Sequence, residues 1–126
     1  MVLDDNDAVR ESLEAFFEDR RGLVFPAATA EEALEILQSE KPDGATVDIR
    51  LPGMDGNDFL RKASELQPNI ACVIITGSPE YRLPDDIGSM PHVAALVFAK
   101  PVSDLDALEC TLRRHVEACK GSEQPA

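Results

Sequence analysis

The segment Gly44-Ala45-Thr46-Val47-Asp48-Ile49-Arg50-Leu51-Pro52-Gly53-Met54-Asp55-Gly56 decides the fold. A short apolar run, Ala45 to Val47, leads into a carboxylate, Asp48. The loop beyond it holds Pro52, Gly53 and Gly56, residue types that stop a strand and allow a tight turn. A helical pattern follows from Asn57. The segment reads as a strand that ends on an acid and turns into a helix. In an open α/β sheet, chemistry gathers outside the carboxyl ends of the strands, which makes Asp48 the first candidate for a chemical role. Taken alone, an aspartate at this place is more often a turn former or a helix cap.

Toward the N-terminus, Lys41-Pro42-Asp43-Gly44 separates this strand from a helix that runs to about Ser39. Thr29-Ala30-Glu31-Glu32 has the capping-box pattern that opens such a helix, and Ala33, Leu34 and Leu37 face inward. Leu23-Val24-Phe25 predicts a second strand closed by Pro26. Asp7 to Arg21 predicts a helix with Val9, Leu13, Phe16 and Phe17 on one stripe, capped by Asn6 or Asp7 and ended by Gly22. Met1-Val2-Leu3 is a first strand shorter than the usual five or six residues or so. It is either stubby or the tail of a longer one, and it ends in Asp4-Asp5.

Toward the C-terminus, a helix from Asn57 to Leu66 places Phe59, Leu60, Ala63 and Leu66 on one face. Ile70 to Ile75 is a continuous apolar run, as in a strand buried on both faces, and it ends at Thr76-Gly77-Ser78. Pro79 to Pro91 is interrupted by Pro84, Gly88 and Pro91, which predicts one or two short helical turns and mobility. Ala94 to Ala99 is a fifth strand-like run and ends at Lys100-Pro101. Ser103 caps the last helix with Asp106 three residues on, and Leu105, Leu108, Leu112 and Val116 form its stripe. Lys120 to Ala126 is polar and reads as a tail or linker stub.

The chain has 126 residues, 44% apolar and 29% charged, which fits one globular domain. Its net charge is −12, from 24 acids against 12 bases, so this segment is not expected to bind nucleic acid directly. It has no apolar run near the roughly 20 residues of a membrane span and no signal-peptide pattern, and the expected compartment is the cytoplasm. Cys72, Cys110 and Cys119 show neither metal-ligand spacing nor a disulfide framework. Cys72 and Cys110 read as buried or half-buried, and His92 and His115 as surface residues.

Five strands alternating with helices predict a parallel sheet covered on both faces with right-handed crossovers. With strand order 2-1-3-4-5, the residues that close four of the strands converge on one rim. These are Asp4 and Asp5, Asp48, Thr76 and Lys100. Three carboxylates in one crevice repel one another, and a hard divalent cation such as Mg²⁺ relieves that repulsion. A carboxylate can act as nucleophile toward phosphorus. Lys100 supplies a point positive charge, the Thr76 hydroxyl a donor, and Gly77 leaves room beside it.

With these residues, Asp4-Asp5, Asp48 within DIRLPGMDG, Thr76 within ITGS and Lys100-Pro101, the chain resembles the receiver domain of two-component response regulators. The resemblance covers nearly the whole chain. It implies an α/β, flavodoxin-like doubly wound five-stranded parallel sheet of order 2-1-3-4-5, here with an irregular fourth helix. Residues 1–119 would form the receiver and 120–126 the tail. The resemblance implies Asp48 as phosphoacceptor and Mg²⁺ as cofactor. The metal ligands would be Asp5, Asp48, the Arg50 main-chain carbonyl and, through water, Asp4. Thr76 and Gly77 would form the switch beside the phosphoryl group, with Lys100 its partner across a cis bond to Pro101. The implied donor is a phosphohistidine on a sensor histidine kinase or a phosphotransfer protein of a phosphorelay, and the implied recipient of the signal is an output domain or downstream protein. The chain would catalyse its own phosphorylation and dephosphorylation as a signalling switch, without being an enzyme in the usual sense. A homodimer is left open.

Three features depart from the family pattern: Val97 where an aromatic is usual, the broken fourth helix, and the short first strand. The first two keep open a receiver-like interaction module that is never phosphorylated. A phosphohydrolase of the haloacid dehalogenase type fits less well, because its nucleophile lies in a D-x-D motif on the first strand and its acidic pair comes late.

Overall fold

The computed structural model describes residues 1–20 and 22–123. In chain order the elements are β1 Val2–Leu3, α1 Asp7–Asp19, β2 Pro26–Ala27, α2 Ala30–Ser39, β3 Gly44–Asp48, α3 Gly56–Leu66, β4 Ala71–Thr76, α4 Asp85–Gly88, β5 Phe98–Ala99 and α5 Leu105–Glu123. All ladders are parallel, and the sheet order is β2-β1-β3-β4-β5. The doubly wound architecture expected from the sequence is the one observed. Among the described residues no helix is long and apolar enough to cross a membrane.

Alternation along the central strands divides the core in two. Ala45 and Val47 of β3 and Cys72 and Ile74 of β4 pack with Ala33, Leu37, Phe59, Leu60, Ala63 and Ile87, under α2, α3 and α4. Val73 and Ile75 of β4 and Val2 of β1 pack with Leu13 and Leu108, under α1 and α5. Side-chain caps start α1, α2 and α3. Asn6 accepts from the Val9 N–H, Thr29 from Glu32 and Asp55 from Asp58, each satisfying an N–H that the helix leaves unpaired.

Several expectations change. The second strand is Pro26–Ala27, displaced from the Leu23–Phe25 run. Its register is fixed by β1 and the residue after it: the Val2 and Asp4 N–H groups donate to the Phe25 and Ala27 carbonyls. Pro26 is tolerated because β2 is an edge strand, where its missing N–H would face away from the ladder. The Ala94–Ala99 run is not one strand. Cys72 bridges Val93, and Ile75 next pairs with Phe98. Three steps along β4 thus match five along its partner, and the surplus carries Leu96 outward to 58% exposure. The last helix is capped by Asp104, which accepts from the Ala107 N–H, rather than by Ser103. That helix runs through Glu123, into the expected tail, while residues 124–126 lie outside the described residues, as does Arg21 at the end of the first predicted helix.

Leu66 closes α3 at 47% exposure instead of facing the core. His92 is buried rather than superficial, and Cys110 is exposed rather than half-buried. The Pro79–Pro91 segment holds one helix of four residues, α4.

Candidate functional site

The site grows from the end of β3. Asp48 is the last residue of that strand and only 3% exposed. The chain then turns back on itself, and the Gly56 N–H donates to the Ile49 carbonyl at 2.9 Å. A Cβ on Gly56 would collide with the Asp48 carbonyl and the Ile49 Cα, so only glycine lets α3 start this close to the acid. Gly53, at φ +76°, supplies the left-handed turn within the loop. Arg50 directs its N–H at Asp48 Oδ1 (3.3 Å), and its guanidinium reaches Ser78 Oγ at 3.2 Å, spanning the mouth of the site.

The acidic pair comes from the end of β1. Asp4 is buried, and its carboxylate accepts the Asn6 N–H at 2.9 Å. Arg10 of α1 holds the Asp4 carbonyl at 2.9 Å. Asp5 is exposed. One carboxylate oxygen from each of Asp4, Asp5 and Asp48 lies within 4.8 Å of the others. Lys100 follows β5, with its N–H on the Thr76 carbonyl at 2.9 Å. Its ammonium bridges Asp4 Oδ2 at 2.7 Å and Asp48 Oδ2 at 3.0 Å. The Lys100–Pro101 peptide bond is cis.

The electrostatics follow from burial. Loss of water pushes the Asp48 carboxyl up to about 6, helped by the Asp4 charge and opposed by the hydrogen bond from Lys100. Burial by itself would lower the Lys100 ammonium, but its hydrogen bonds to Asp4 and Asp48 outweigh that and raise it. Three carboxylates face one ammonium, a deficit of two positive charges in an all-oxygen donor set. That deficit and that donor set fit a hard divalent cation.

Thr76 ends β4, is buried, and accepts the Ser78 N–H at 3.1 Å, leaving its own proton to donate. It stands behind an open cleft of about 710 Å³ whose walls include Asp5, Asp48, Arg50, Gly77, Ser78 and Lys100. Every residue expected at the site therefore lies on one rim of the sheet. Asn6, expected only as a helix cap, and Arg10 and Ser78 were not expected at the site, nor was the Arg50 side chain. Asn6 could have been found from its place two residues after Asp4, where its N–H can turn back to that carboxylate. A second cavity, about 460 Å³ and lined in part by Phe17, Leu23, Phe25 and Leu112, lies at the opposite end of the sheet from the acids.

A buried carboxylate at a strand end, sharing one lysine with a second acid and facing a third, defines an acidic, oxygen-lined rim site on a doubly wound sheet. Residues 1–110 match the response regulator receiver domain family. The chain is 29% identical over 119 residues to the sporulation initiation phosphotransferase F of Bacillus subtilis (strain 168), covering 92% of this chain and 91% of that protein. It is 34% identical over 86 residues to the response regulator GacA of Pseudomonas aeruginosa, covering 67% of this chain and 40% of that longer protein. Among solved structures, a response regulator receiver domain protein (CheY-like) from Methanospirillum hungatei JF-1 superposes with a TM-score of 0.80 at 30% identity, over 96% of this chain and 94% of that one. The chain belongs to the response regulator receiver domain family.

Proposed function

We propose that this receiver domain takes a phosphoryl group from a phosphohistidine onto Asp48. One observation carries the reading: the Asp48 carboxylate is buried at a strand end, shares Lys100 with Asp4, and lies within reach of Asp5. An Asp48 oxygen forms the new O–P bond while the P–N bond of the donor breaks. The departing imidazole keeps the bonding pair and takes a proton from solvent. Asp48, raised only to about 6, is ionised at neutral pH and so available as the nucleophile.

Asp5, Asp48, the Arg50 carbonyl and, through water, Asp4 would hold Mg²⁺. When bound, it supplies positive charge to the phosphoryl oxygens and to the acids around them. Lys100 turns from Asp48 to one phosphoryl oxygen as a point charge. The Thr76 hydroxyl donates to another, and Gly77 beside it leaves the space open, since the nearest atom to a Cβ there is Lys100 Cβ at 3.9 Å. The partners of this chemistry are a sensor histidine kinase or phosphotransfer protein upstream and an output domain or protein downstream. The chain acts as a switch that catalyses only its own phosphorylation and dephosphorylation.

The test is to incubate the protein with Mg²⁺ and acetyl phosphate and weigh it. The expected result is a labile gain of one phosphoryl group, lost in Asp48→Asn. An unchanged mass would place the chain with interaction modules that are never phosphorylated.

A further inference from the structure

The acidic pair stands where the sheet stops holding it. β1 spans two residues, and the Asp4 N–H, just past it, donates to the Ala27 carbonyl at 3.1 Å. Among the described residues no main-chain bond to a neighbouring strand follows at Asp5. Asp4 is fixed at three further points. Its Oδ1 accepts the Asn6 N–H at 2.9 Å, its Oδ2 accepts the Lys100 ammonium at 2.7 Å, and its carbonyl accepts Arg10 Nη1 at 2.9 Å. Asp5 is exposed, so the direction of its carboxylate depends on the peptide that joins it to Asp4. The carbonyl of that peptide is the one Arg10 holds.

Arg10 reaches this carbonyl from the first turns of α1. It lies four residues after the cap Asn6, whose carbonyl accepts its N–H at 2.9 Å. The guanidinium folds back over the end of β1. Its Nη2 is pinned on Asp7 Oδ1 at 2.5 Å, which leaves Nη1 aimed at Asp4, and the side chain is only 17% exposed. A planar guanidinium held at one nitrogen has the other set in direction. Its charge is answered first by the hydrogen bond to Asp7, with Glu11 of α1 and Glu32 of α2 nearby. Arg10 therefore acts on the acidic pair through one directed hydrogen bond rather than as a counter-ion.

We propose that Arg10, oriented by Asp7, is a positioning residue for the acidic pair. By fixing the peptide between Asp4 and Asp5 it sets where the Asp5 carboxylate meets those of Asp4 and Asp48, and with it the affinity of the cleft for a divalent cation. This rests on the metal site of the phosphoacceptor reading. Arg10 is not among the groups that would hold the ion. It stands behind them, and such supporting groups tune affinity by keeping the ligands in place.

Mg²⁺ is titrated by calorimetry into the full chain and into Arg10→Met, Arg10→Lys and Asp7→Asn. Arg10→Met is expected to bind it roughly tenfold more weakly, the lower end of what supporting groups supply. Arg10→Lys can reach the carbonyl but cannot hold Asp7 at the same time, and should recover part of that loss. Asp7→Asn should show a smaller loss, since the guanidinium remains. Arg20→Met is the comparison for stability alone. Arg20 also ties α1 to its surroundings, on Asp106 and Glu109 of α5, and its removal should leave Mg²⁺ affinity unchanged. Wild-type affinity in Arg10→Met, or equal losses in Arg10→Met and Arg20→Met, overturns the role of Arg10 and leaves the phosphoacceptor reading intact. If Arg10→Met does not fold, unweakened binding by both Arg10→Lys and Asp7→Asn overturns it instead. No Mg²⁺ binding by the wild type overturns the metal site and the role of Arg10 together.

Discussion

At the scale of single residues, the buried acid at the end of β3 costs the domain stability. Asp48 has lost its water and is held at about 6 rather than 3.8. An acid raised in the folded state destabilises above its folded value, and the effect vanishes below its unfolded value. Asp48→Asn is therefore expected to raise stability at neutral pH in chelator, by up to about 3 kcal/mol. The gap to wild type should close as pH falls from about 6 to 3.8, which urea melts across that range would show. Gly56→Ala should cost about 1–3 kcal/mol or more, because its methyl meets backbone rather than a yielding side chain; a chemical melt reads this too. Asp48 was legible in the sequence because an apolar run stops on it. The burial of His92 was not, since it lies in no run whose period reveals its face; the exposure of Cys110 could have been read from its place off the Leu105, Leu108, Leu112 and Val116 stripe.

At the scale of elements, α3 tests the difference between pattern and place. Phe59, Leu60 and Ala63 are buried as their spacing requires, yet Leu66 is 47% exposed. It is the last helical residue, where Gln67 turns away to donate to the Leu37 and Glu40 carbonyls. Leu60→Ala should cost about 2–5 kcal/mol, and Leu66→Gln less than about 0.5 kcal/mol, compared by the same melt. His92, between α4 and β5, is held below 6.5 by burial and by the nearby His115. The unfolded chain then binds more protons, so stability falls as pH drops below 6.5 toward the folded value. Melts at about pH 7 and about pH 5 should show that loss reduced in His92→Gln. Helices α1, α2 and α3 were legible from their stripes. The edges of the sheet were not, because β2 takes its register from β1 and the surplus residues before β5 belong to no apolar period.

At the scale of the whole molecule, a divalent cation held on the acidic rim would link metal to folding. An Mg²⁺ site formed only in the folded chain should stabilise it by about 2.7 kcal/mol at a hundred times the dissociation constant. That gain should disappear with a chelator and shrink in Asp5→Asn, as a shift in thermal midpoint would show. The site itself was legible before the fold because its residues all follow strands, and a parallel sheet delivers every strand end to one rim. The hydrogen bonds from α3 to Tyr81, Asp86 and His92 were not, because those partners lie in a segment with no period to read.

The two outer strands of the sheet, β2 and β5, are each only two residues long. One carries a proline and the other is approached through an outward detour. Neither offers a second molecule the long, flat row of unpaired amides on which chains stack into fibrils. The apolar, fully buried strand β4 lies inside the sheet, between β3 and β5. Concentrated solutions of this domain should therefore stay clear on prolonged storage.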